Sequence, residues 1–194
     1  MRLVGVFSRV AIGKGPIKLP VTPDMPLSEL QEKLKAHVRG PGAVCPVCRQ
    51  LVRMVEKELS APMAYVLILM YRHFQTASDW LDMNQYISNM VAIGSEVKGG
   101  EWSKMKYWQL IVERPPEKKS IVNPKPPVKT QGMYKMTELG ARFVLGKIKI
   151  PRSVWLYNGK VIEVHKKSVS IQECLGKDYN YEALMAGNLG SFAV

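Results

Sequence analysis

The stretch Pro62 to Gln75, PMAYVLILMYRHFQ, is apolar on nearly every side. A helix of that kind cannot lie on a surface, because it has no polar face to give to water. It has to sit in the middle of a fold, and the rest of the chain has to wrap it. Ser60 is placed to cap it, and Pro62 falls in its first turn, where a missing N–H costs little. The apolar run itself, Met63 to Tyr71, is nine residues long. A bilayer span needs roughly 18 to 20. With 194 residues and 46% hydrophobic content, the chain has enough apolar surface for one domain with appendages.

The flanking segments supply the wrapping. Pro26 to Val38 places Leu27, Leu30, Leu34 and Val38 at helical spacing before the GPG of residues 40–42. The run RQLVRMVEKEL from Arg49 fits a helix or a strand about equally. Asp82 to Met90 reads as a second short helix, and Gly94 and Gly99-Gly100 break the chain after it. A third helix is expected over about 101–110. There Trp102, Met105, Trp108 (or Gln109), Leu110 and Val112 recur at mixed three- and four-residue steps.

Leu110 to Arg114 reads as a strand, and GMYKMT at 132–137 as another. Between them, residues 115–131 hold five prolines and four lysines, which exclude a regular helix or a central strand. Thr137 caps TELGARFVLGK, with Leu139, Phe143 and Val144 on one face and Pro151 as a stop. SVWLYNGKVIEV reads as a hairpin turning at Asn158-Gly159, and SIQECLG and YNYEALMAG as two closing helices.

The order helix, helix, helix, strand, basic loop, strand, helix is that of a winged helix-turn-helix, whose third helix enters the major groove. The expected fold is therefore α+β, mainly α. Residues 1–25 form an irregular arm with a short strand, and 26–59 a helix and a CPVC knuckle. Residues 60–150 form the winged-helix domain with its wing at 115–131. Residues 151–194 form a hairpin and helices packed on that core.

Charge favours a polyanionic partner. The net charge is +12, and from Gly99 to Lys167 there are 15 Lys and Arg against five Asp and Glu. A basic footprint concentrated on one candidate helix and its neighbours points to nucleic acid. The candidates for duplex DNA are Ser103, Lys104, Lys106 and Tyr107 on the third helix. Arg114, Lys118, Lys119, Lys125 and Lys129 follow in the wing. The wing residues would meet phosphates, and the helix residues base edges. The competing reading is a solvated helix face beside a basic linker.

KYWQLIVERP followed by GMYKMTELGARFV resembles winged-helix repressors of the MarR and PadR type. Those proteins pass from a recognition helix through a Leu-Ile…Arg element into the wing, matched here by Leu110, Ile111 and Arg114. They leave the wing through a Tyr-x-Leu-Thr-x-x-Gly element, matched by Tyr134, Met136, Thr137 and Gly140.

The whole chain is also similar to small winged-helix proteins frequent in bacteriophage and prophage genomes. Cys45, Cys48, Gly99, Gly100, Trp102, Lys104, Tyr107 and Trp108 fit their CPxC element and their glycine- and tryptophan-bearing block. Ser170, Ile171, Leu175, Gly176, Tyr181, Leu184 and Met185 fit their C-terminal elements. The resemblance implies a regulator that binds DNA. The alternative is a phage-encoded interaction module that inhibits a host machine such as RNA polymerase or a CRISPR effector. No segment reads as a dimerisation coiled coil, so monomer and dimer both stay open.

Cys45 and Cys48 form half of a structural zinc site, which takes four ligands. His37 and Cys174 are open as further ligands, and a redox dithiol or a plain turn are the competing readings. The three histidines show no pairing with a nucleophile or carboxylate, and no Walker loop, GxGxxG or HExxH occurs, so the chain is read as a non-enzyme. The odd cysteine count suits a reducing compartment, and the N-terminus lacks the apolar stretch of a signal peptide. The expected location is the cytoplasm, in a phage-infected bacterium on the resemblance, with no membrane partner.

Overall fold

The computed structural model describes residues 15–20, 22, 24–92, 100–115, 132–177 and 179–188. The fold is mixed α+β, with short helices and small sheets. The chain divides into two units, Met1–Glu56 with Leu156–Gly159, and Lys57–Trp155 with Lys160–Val194.

In the smaller unit, strand β1 (Ile17–Lys18) pairs in parallel with β2 (Ala43–Val44), and β2 pairs antiparallel with β3 (Leu51–Val52). Helix α1 (Leu27–His37) lies between β1 and β2 in sequence, with the ion pair Glu29–Lys33 at 2.8 Å along its surface. The helical spacing places Leu30 inside at 5% exposure but leaves Leu27 exposed, because Leu27 opens the first turn. The run that fits helix or strand equally is strand: β3, then β4 (Val55–Glu58). The unit boundary falls within β4.

The larger unit is built on α2 (Ala61–His73), in which Met63 to Met70 are all buried. Ser60 holds the extended backbone of an N-cap without making the side-chain capping bond. After α2 comes β5 (Leu81–Asp82), a strand with no counterpart in the sequence reading, and then α3 (Met83–Ala92). Asp82 caps α3, its Oδ1 accepting from the N–H groups of Asn84 at 3.1 Å and Gln85 at 3.3 Å. The Tyr86 hydroxyl donates to the Leu69 carbonyl at 3.1 Å and ties α3 to α2.

Residues Gly100–Trp108 form a 3₁₀ helix, not the α-helix expected there. It leads into β6 (Ile111–Glu113), which pairs antiparallel with β7 (Met133–Met136). β7 pairs on its other side with β5, so the sheet order is β5–β7–β6. Helix α4 (Glu138–Val144) follows at once. Phe143 and Val144 are fully buried, but Leu139 is 36% exposed, which corrects the expected face.

The remaining elements close the shell. β8 (Ile150–Pro151) pairs with β11 (Ser168–Val169). Between them β9 (Ser153–Tyr157) and β10 (Lys160–Val164) form the hairpin, turning at Asn158 (φ 49°) and Gly159 (φ 72°) as the Asn-Gly signal requires. Ser170 and Glu173 make a reciprocal capping box on α5 (Ile171–Leu175). In α6 (Tyr181–Ala186) the Tyr181 hydroxyl donates to the Val144 carbonyl at 2.8 Å. The 3₁₀ helix, α4, α5 and α6 all pack on α2.

One junction holds the 3₁₀ helix, β6 and α4 together. The Leu110 carbonyl accepts from the Thr137 N–H and from the Thr137 hydroxyl, each at 3.1 Å. The Thr137 hydroxyl oxygen in turn accepts from the Gly140 N–H at 3.0 Å, capping α4. Gly140 is pressed so close that a Cβ there would lie 2.3 Å from the Leu110 carbonyl oxygen.

Gly140→Ala is therefore expected to destabilise the protein by about 3 kcal/mol, because backbone must move to admit the methyl group. At an open helical site the same substitution would stabilise by about 1 kcal/mol. Denaturant unfolding of the variant decides by sign.

Candidate nucleic-acid interface

The sequence of the 3₁₀ helix explains its geometry. A 3₁₀ helix has three residues per turn, so every third side chain eclipses the last. Trp102, Met105 and Trp108 stand at three-residue steps and are all buried, at 6%, 0% and 5% exposure. The Trp108 indole N–H donates to the Pro151 carbonyl at 2.7 Å, and Trp102 meets Tyr134 edge to face at 5.0 Å. Two further stripes remain. One carries Glu101, Lys104 and Tyr107, the other Ser103, Lys106 and Gln109.

The first stripe is paired within itself. The Lys104 ammonium donates to the Glu101 carboxylate one turn away, which holds the carboxyl below the usual Glu range and the ammonium above the usual Lys range. Lys57, on β4, meets Lys104 from across the fold. That neighbour, first through a hydrogen bond, and then burial hold Lys57 below its ordinary value. No local pattern in the sequence links residues 57 and 104, and Lys57 escaped the sequence reading for that reason.

The second stripe is the outward one. Ser103 is half-buried, and Lys106 and Gln109 are exposed. Lys106 reaches Glu113 on β6 at 3.3 Å. Glu113 also faces Tyr134 across the β6–β7 ladder. Burial first, and then the Glu113 charge, push the Tyr134 hydroxyl up to about 12.

Gln109 ends the helix in a left-handed conformation, φ 58°. Its N–H donates to Lys106 O at 3.0 Å and the Leu110 N–H to Met105 O at 3.3 Å, the bond pair of a Schellman cap. Its carbonyl is the nearer of two acceptors that share the Thr137 hydroxyl proton, at 2.6 Å against 3.1 Å for the Leu110 carbonyl. This residue also joins the outward face without having been a candidate.

Of the wing residues, Arg114 is half-buried at the end of β6, its N–H donating to Met133 O at 2.9 Å. Lys118, Lys119, Lys125 and Lys129 lie outside the described residues. The structure thus gathers Ser103, Lys104, Lys106 and Tyr107 on one short helix, with Arg114 at the strand that follows, and adds Gln109 and Lys57.

The CPVC element is the loop of the β2–β3 hairpin. The Cys45 N–H donates to Gln50 O at 2.9 Å, and the Arg49 N–H to Cys45 O at 2.8 Å, with Arg49 left-handed at φ 58°. The N–H groups of Cys48 and Val47 and the Cys48 thiol donate to the Cys45 sulfur, which lowers the Cys45 thiol from its ordinary value. Cys174 is half-buried on α5, where burial pushes its thiol up to about 11. No group of three Cys, His, Asp or Glu side chains able to hold a metal forms among the described residues. Among those residues no helix is long and apolar enough to cross a membrane.

No protein-family model matches the chain, and no curated protein or solved structure matches it.

The Glu101–Lys104 pair has a pH signature. Because the folded carboxyl is lowered, its contribution is present above the unfolded Glu value and is lost as pH falls through the folded one. Lys104→Met is expected to return the Glu101 titration to the ordinary Glu range in a carbon-detected NMR pH series. A Glu101 titration unchanged by the substitution would show that the ion pair does not form.

Proposed function

We propose that α2 through α4 form a winged helix-turn-helix that binds duplex DNA through the outward stripe of the 3₁₀ helix. On the resemblance above, it would act in gene control of a phage or prophage. The observation that carries this reading is the sheet order β5–β7–β6. β5 immediately precedes α3 and pairs with the far strand of the β6–β7 hairpin, so helices and hairpin share one frame. The 3₁₀ helix packs on α2 by its tryptophan stripe, and Lys106 and Gln109 lie exposed on the stripe that also carries the half-buried Ser103. The basic segment between β6 and β7 is the wing of this reading.

Charge and side-chain chemistry support it. Fifteen cations against five acids from residue 99 to 167 supply a long-range field for a polyanion. The Lys106–Glu113 pair is partly exposed, and such surface pairs are worth about 0–1 kcal/mol, so a phosphate or a guanine edge can displace the carboxylate at little cost. Lys reads guanine and Gln reads adenine in the major groove.

The carboxylates Glu101 and Glu113, interleaved with the lysines, favour a second reading, in which this face docks on a host protein machine instead.

Fluorescence anisotropy with a mixed-sequence duplex separates the two. The expected result is binding whose log affinity falls linearly with log salt, by about 0.9 per phosphate neutralised. Lys106→Ala is expected to weaken it about tenfold. No binding at about 50 mM salt would overturn the DNA reading. Capture of a host protein that survives nuclease treatment would then support the docking one.

A further inference from the structure

The hairpin loop Cys45–Gln50 does more than reverse the chain. Its hydrogen bonds fold six residues so that both sulfurs emerge on the same side, close enough for one thiol to donate to the other. Zn–S bonds of about 2.3 Å at tetrahedral angles set two thiolates about 3.8 Å apart, a spacing within the reach of a thiol–thiol hydrogen bond. The backbone N–H groups of Val47 and Cys48 already point at the Cys45 sulfur, which is the support a metal-bound thiolate receives from its surroundings. Cys48 is exposed, and Val47 between the two cysteines is 70% exposed, an apolar loop apex bare to solvent.

The chain has three cysteines and three histidines, all six among the described residues. In the unit that holds the pair the one further soft ligand is His37, and it does not gather with them. His73 packs edge-on against Phe74 and Tyr86, the His165 Nδ1 accepts from the Lys167 N–H at 3.1 Å, and Cys174 is half-buried on α5. No third ligand gathers at the pair among the described residues. A structural zinc site takes four.

We propose that the CPVC knuckles of two copies of this chain share one zinc ion, in a site of four cysteine sulfurs that links the copies as a dimer. Each copy contributes Cys45 and Cys48, the two-fold arrangement typical of self-complementary contacts. The four thiol protons leave to solvent as the Zn–S bonds form, giving a centre with net charge of about −2. Arg49, exposed directly after Cys48 in each copy, supplies the offsetting positive charges. The exposed Val47 of each copy gains an apolar neighbour. The proposal goes beyond the nucleic-acid reading and does not depend on it.

The test uses the full-length reduced protein, stripped of metal and titrated with Co²⁺ and then Zn²⁺, with mass read by native mass spectrometry and sedimentation. The expected endpoint is one metal per two chains, a cobalt spectrum of tetrahedral tetrathiolate coordination, and a dimer that a chelator returns to monomer. Cys48→Ser is expected to lose both metal and dimer, whereas Cys174→Ser keeps both. Circular dichroism of the two variants checks that each still folds.

Three results would each overturn the proposal. These are one metal per chain at monomer mass, no metal uptake by the reduced protein, or a dimer that persists in chelator and in Cys48→Ser.

Discussion

Eight consecutive buried residues in α2 impose the constraint on which the larger unit depends. Each large apolar side chain taken out of water contributes about 1.5–3 kcal/mol, but only where something covers it. A helix buried on one stripe needs one neighbour, whereas this one needs cover all round. Four elements provide it, and each brings its own apolar residues: Trp102, Met105 and Trp108 from the 3₁₀ helix, Phe143 and Val144 from α4, Ile171 and Leu175 from α5, and Leu184 from α6. The position of the 3₁₀ helix therefore follows from the core. Once its tryptophan stripe is inside, Lys106 and Gln109 come to lie exposed, while Lys104 on the other stripe is half-buried against Lys57.

The Leu110 carbonyl turns that packing into a defined exit. A Schellman cap at Gln109 stops the 3₁₀ helix, Thr137 grips the next carbonyl from the far side, and Gly140 lets α4 approach to contact distance. β6 and β7 are thus fixed within a few residues of the 3₁₀ helix, the element proposed to meet DNA. The residues that carried the family resemblance, Leu110, Thr137 and Gly140, meet at this point. Their spacing in sequence reflects one backbone contact.

Much of the fold was legible because its signals are local. The all-round apolar stretch gave α2, Asn158-Gly159 gave the hairpin, and the cap at Thr137 gave α4. The 3₁₀ helix was harder to read. From Trp102 to Trp108 an α-helix would fan the three side chains over about 120°, a spread that also suits one buried face, and admitting Gln109 as an alternative to Trp108 hid the strict three-residue stripe. β5 was missed because two residues carry no periodicity and the strand exists only through its pairing with β7. Leu27 and Leu139 were assigned inward by spacing, yet both lie at the first turn of a short helix, where no neighbour covers them. In the candidate site, Lys57 and the partnering of Lys104 and Lys106 by carboxylates depend on tertiary placement or on the helix type, so spacing alone could not supply them.

Burial of Trp102, Met105 and Trp108 leaves Lys106 and Gln109 exposed beside Ser103, and under the proposed function this is the face that would meet a nucleic-acid groove. Amide chemical shifts of the isotope-labelled protein, followed while mixed-sequence duplex DNA is added, test it residue by residue. The largest changes are expected on residues 103, 106 and 109, with Arg114 and the residues that follow it next. Changes confined to α1 or to the β9–β10 hairpin, or no changes at saturating duplex, would contradict it.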